Sequence, residues 1–211
     1  MNPIHHFWTW FAQNQHHFLN YLKLSPKLRK HYFFWLEWHL NFYCSGVTFV
    51  MVFPKTKNAK GKLILTANGR VNLYEEVQEV VALAPALHKW KIMAFVEPAI
   101  NYETLEKGTD HPFRFQDISI KASSLFFDAM QDPKSKKFLL TIYLDFEDLE
   151  ENYKDVIQVI NIILESLLGE KFLYGNIGRL QLAKLQQTSV DDLLPLYTLQ
   201  SLIETFERYE N

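Results

Sequence analysis

Twice along the chain, a pair of strand-length apolar runs joined by a polar, basic connection is followed by a helical period and then by another strand. In the first instance Val47 to Phe53 and Leu63 to Ala67 flank "PKTKNAKGK". Both runs are apolar or β-branched on both faces, which predicts a hairpin whose strands lie inside a sheet. Asn68-Gly69 is a turn signal, and Asn72 with Glu75 forms a capping box for a helix over 73–84, which Pro85 follows. Trp90 to Glu97 supplies the third strand. In the second instance Leu125 to Gln131 and Phe138 to Phe146 flank "DPKSKK", and Phe138, Leu140, Ile142, Leu144 and Phe146 alternate with Leu139, Thr141, Tyr143 and Asp145, the half-exposed antiparallel pattern. A periodic helix over 150–168 closed by Gly169, then the strand "IGRLQLAKL" at 177–185, complete it.

The two instances agree in the order of their elements and not in their residues, so the repetition is architectural. It predicts an α+β protein, a mostly antiparallel sheet built from two hairpin-helix-strand halves with both crossover helices on one face. A strand at Phe113 to Lys121 precedes the second half, a loop of charges and turn formers at 98–112 separates the halves, and a helix over 196–209 comes last.

Ahead of the first half lies an aromatic helical hairpin. Phe7, Phe11, Phe18 and Leu22, flanked by Trp10, Asn14 and Tyr21, fall on one stripe of a helix over 4–22. Ser25 and Pro26 then open a second helix to about residue 43, as cap and first residue. Phe33, Phe34, Trp35, Leu36, Trp38, Leu40 and Phe42 surround its axis, so it is either buried or in contact with a partner. The expected organisation is a single domain over 1–211, with the hairpin at 1–45, the first half at 46–98 and the second at 113–211.

Charge narrows the function. With 22 basic against 24 acidic side chains, the chain offers no overall positive excess for nucleic acid. Cys44 is the only cysteine, which forbids an intrachain disulfide or a cysteine-based zinc cluster and fits a reducing compartment. The first residues lack the basic and apolar regions of a secretory signal, so a cytoplasmic location is expected. The run 32–53 is the most membrane-like, but Glu37, His39 and Asn41 interrupt it, and no membrane association is expected.

Chemistry is sparse. His5 to His16, or His6 to His17, is about 16 Å along a helix, and adjacent histidines point about 100° apart, so no metal site and no cofactor is assigned. A site joining one of them to His31, His39, His88 or His111 stays geometrically open. The acids of "DFEDLEENYKD" belong to a helix start. "GNIGR" lacks the third glycine and the strand-then-helix setting of a phosphate loop and reads as a turn into a strand. Nucleophile-elbow, Walker and His-Glu-x-x-His motifs are missing, and Cys44 reads as a small buried thiol. Trp8, Trp10, Trp35 and Trp38 lie on successive helices, and tryptophan is enriched at the centres of protein interfaces. Trp8, Trp35 and Trp38 are the interface candidates, Trp8 foremost because it sits off the main stripe. The alternative is a small-molecule pocket or active site at strand ends near the 98–112 loop, with His88, Asp110 and His111 as its polar groups.

"FWTWFAQN", "LILTANG", "ALAPALHKWKIMAF", and "LLGE" followed by "IGRLQL" resemble a family of uncharacterised bacterial proteins that begin with a Phe-Trp-x-Trp-Phe helix. In that family a strand ending in Ala-Asp-Gly leads to a helix, an Ala-Pro turn and a tryptophan strand; here Asn68 replaces the acid and keeps the turn chemistry. The resemblance implies a bacterial protein and brings no activity and no catalytic residue. The function expected from the residues is non-catalytic protein binding or self-association through the aromatic hairpin.

Overall fold

Ser25 accepts the backbone N–H of Leu28 on its Oγ, and Pro26 occupies the first helical position, so the second helix starts where the sequence places it. In the computed structural model, which describes residues 3–54, 56, 58–185 and 192–210, the chain divides into compact units at Met1–Val96 and Glu97–Asn211. The class is α+β, with mixed sheets.

The first unit begins with α1 (Pro3–Leu19) and α2 (Pro26–Tyr43). β1 (Thr48–Val52) pairs antiparallel with β2 (Gly61–Thr66), and β2 pairs parallel with β3 (Trp90–Ala94) after the crossover helix α3 (Tyr74–Ala82). The strand order β1-β2-β3 puts only β2 inside the sheet. That corrects the expectation for β1, an edge strand whose Val50 and Val52 are exposed. The Asn72–Glu75 capping box does not form either, because Val71–Leu73 is a tight 3-10 turn and the helix starts at Tyr74 with no side-chain cap. The core joins Phe7, Trp8, Phe11 and Phe18 of α1, Leu36 and Leu40 of α2, Leu63 and Leu65 of β2, Val77 and Val80 of α3, and Trp90.

The second unit repeats the plan. β6 (Phe126–Gln131) and β7 (Phe138–Leu144) form the hairpin, α5 (Tyr153–Leu168) and the short α6 (Glu170–Asn176) cross over, and β8 (Ile177–Lys184) lies parallel to β7. β9 (Leu194–Pro195) adds to the other side of β6, giving the order β8-β7-β6-β9. Phe138, Leu140, Ile142 and Leu144 are buried on alternate positions, as the period-two pattern requires, and pack with Val156, Ile160, Ile163 and Leu167 of α5.

Several local expectations change. The run 113–121 is a small hairpin of β4 (Phe113–Phe115) and β5 (Ile118–Ile120), turned at Gln116 with φ 51°. The 98–112 loop contains α4 (Tyr102–Glu106), capped by Asn101, whose Oδ1 accepts the N–H of Glu103 at 2.9 Å. "GNIGR" is no turn: α6 runs directly into β8. The last helix, α7 (Leu199–Glu210), follows a 3-10 turn at Leu196–Thr198. Among the described residues no helix is long and apolar enough to cross a membrane.

Candidate interaction face

The apolar side chains of α2 are spread around its axis, and the fold buries only some of them. Leu36, His39 and Leu40 face the core, while Phe34, Trp38 and Phe42 are 58%, 44% and 59% exposed. Their spacing of four places them on successive turns of one face, a row about 12 Å long. The rings support one another. Trp38 and Phe42 stack at 5.7 Å with planes 10° apart, and Trp35, half-buried beside them, meets Trp38 edge-on at 5.5 Å and Phe34 at 5.5 Å. Exposed apolar side chains are ordinary when scattered; a contiguous aromatic row on one helix is not.

Beneath the row lies a contact between two histidines. His39, only 6% exposed, packs edge-on against Trp38 at 5.0 Å and lies 4.7 Å from the ring of Trp10. Its Nδ1 is 3.2 Å from Nδ1 of His6 on α1, so one ring donates and the other accepts. Burial, and then the neighbouring His6, hold the His39 imidazole below its ordinary range. With its pKa lowered from 6.5, His39 carries no charge near pH 7.

The sequence candidates separate clearly. Trp38 is on the row and Trp35 at its flank, but Trp8 is a correction: it is 3% exposed and its Nε1 donates to the carbonyl of Val80 at 2.8 Å. The buried residues Ile4, Phe7, Trp8 and Phe11 define the true stripe of α1, and Trp8 lies on it. Phe34 and Phe42 were not singled out in the sequence, although their four-residue spacing from Trp38 was a readable signal.

Of the proposed pocket groups, His88 is exposed in the first unit and lines an open groove with Val81, Pro85 and Trp90. Asp110 is buried in the second unit, where Oδ2 accepts the N–H of Ala122 at 2.9 Å and of Ser123 at 3.4 Å. That is the work of a loop anchor. His111 beside it is exposed. Cys44 is half-buried rather than buried, and burial, then Glu76, push its thiol up, away from the nucleophilic thiolate. Among the described residues no three metal-ligating side chains converge. His6 meets His39, one of the pairings that the sequence leaves open, whereas the rings of the adjacent His16 and His17 approach to 3.8 Å, against the expectation that they point apart.

Compared with known proteins, the chain matches no family model, and no curated protein matches it.

Proposed function

We propose that the chain is a non-catalytic protein-interaction module that associates with a second copy of itself through the aromatic row of α2. The observation that carries this reading is the row: Phe34, Trp38 and Phe42 exposed on successive turns, with Trp35 at its flank. Pairing two such rows removes large aromatic surface from water, and large aromatics dominate the energetics of interface centres. A contact about a two-fold axis uses the same patch on both subunits, so two copies of the chain can bury their rows against each other. The neutral His39 beneath the row supports the reading, since no charge has to be desolvated there when the face is covered. The single, half-buried Cys44 fits a reducing compartment, and a cytoplasmic location follows from the same reading.

Light scattering after size-exclusion chromatography tests this. The wild-type protein should run as a dimer, and Trp38→Ser with Phe42→Ser, folded by circular dichroism, should run as a monomer. A wild-type monomer, or a double variant that keeps the dimer, refutes the proposal.

A further inference from the structure

On another side of α2 from the row, a mostly polar pocket of about 310 Å³ opens at the carboxyl end of β2. Glu37 and Asn41 of α2, Ser45 and Thr48 at the start of β1, and Asn68 and Arg70 after β2 line it. It lies where β1 begins and β2 ends, at one end of the antiparallel pair in which Thr48 stands opposite Thr66.

Arg70 lines this pocket and, like Glu37, Asn41, Ser45 and Asn68, is exposed to solvent. Its Nη1 lies 2.3 Å from the position a Cβ on residue 46 would take, so the guanidinium rests against the bare backbone of Gly46, whose φ of 108° also suits glycine. The loop that delivers it turns through Asn68 and Gly69, both at positive φ. Among the described residues no carboxylate pairs with this guanidinium, although Glu37 lines the same pocket. The side chains of Asn41, Ser45, Thr48 and Asn68 likewise make no hydrogen bond within the described protein, and the hydroxyl of Thr66 below them fixes the loop by accepting the N–H of Asn68 at 2.9 Å.

We propose that this pocket binds a small anionic ligand, a carboxylate or a phosphate monoester, with its anionic group on Arg70 and a ligand hydroxyl donating to Glu37. The planar fork of arginine matches both anions bidentately, and the surrounding hydroxyls and amides supply further donors. Glu37 sets the other half of the specificity: it repels a polyanion and rewards a compound carrying a donor a few atoms from its charge. This site is independent of the aromatic row, since Phe34, Trp38 and Phe42 do not line it.

The test follows the Nε–H resonance of Arg70 in arginine-labelled protein by NMR during titration with glycerate and, separately, with glycerol 3-phosphate. The expected result is a saturable shift with at least one of them, and the stronger responder identifies the anion. Arg70→Lys, which keeps the charge and loses the fork, should weaken binding by about tenfold or more. Asn68→Ala and Glu37→Gln should weaken it less, in folded protein. Absence of a saturable shift with both compounds, or binding that Arg70→Lys leaves unchanged when followed by backbone amide shifts, overturns the proposal.

Discussion

The indole of Trp8 donates from Nε1 to the carbonyl oxygen of Val80 at 2.8 Å, tying the first helix to the crossover helix across 72 positions of sequence. This bond is buried and near the C-terminal end of α3, where the last carbonyls of a helix lack intrahelical donors. Trp8→Phe keeps most of the ring and removes the donor. It should destabilise the first unit by about 1–3 kcal/mol, the cost of leaving a buried acceptor unpaired. Urea unfolding followed by circular dichroism measures it, and an unchanged midpoint would show that water replaces the indole.

Asp110 has the same kind of role in the second unit. Its Oδ2 accepts from Ala122 and Ser123, so Asp110→Ala should cost about 1–3 kcal/mol in unfolding free energy by stranding a buried amide. His111→Ala, at an exposed neighbour, should fall within about 0.5 kcal/mol of wild type. Equal effects from the pair would argue for a shared chemical role instead.

Gly61 sits opposite Trp90 in the parallel register, and a Cβ there would lie 2.7 Å from the indole. The ring also meets Phe11 edge-on at 5.4 Å. Gly61→Ala should therefore cost about 1–3 kcal/mol through overpacking. Paired with Trp90→Phe, the alanine should be better tolerated, a non-additivity that a double-mutant cycle detects.

Acid should loosen the α1–α2 contact. His39 is depressed below 6.5 by burial and by His6, so the unfolded chain binds its proton first as pH falls. Stability is then full above 6.5 and declines as pH falls through the folded-state pKa. His17, also lowered by burial and then by His16, acts in the same direction. Replacing His39 with Phe should reduce this pH dependence without abolishing it, as read from urea midpoints across the histidine range; an unchanged slope would remove His39 from the account.

The twofold hairpin-helix-strand plan was legible because its strands carry period-two or continuous apolar runs and its helices carry 3.6-residue periods. What failed was local or relational. β1 is apolar on both faces like β2, so sequence could not tell the edge strand from the central one. The turn at Gln116-Asp117 lacks the glycine that usually marks a two-residue hairpin loop, and α4 and α6 are too short for periodicity to register. A stripe through Phe7, Phe11 and Phe18 leaves Trp8 at its side, and it is Ile4 that widens the buried face of α1 to include it. The pocket around Arg70 joins residues from three separated segments, none of which carries a motif.

The aromatic row of α2 is proposed as the contact face between copies. Fluorine NMR of protein carrying 5-fluorotryptophan reports on it directly, because the chain has 5 tryptophans and each can be assigned by substitution. With rising protein concentration the Trp38 resonance should shift, Trp35 should follow weakly, and the buried Trp8 and Trp90 should hold still. Association seen by light scattering with a stationary Trp38 resonance, or no concentration dependence at all, would contradict this contact face.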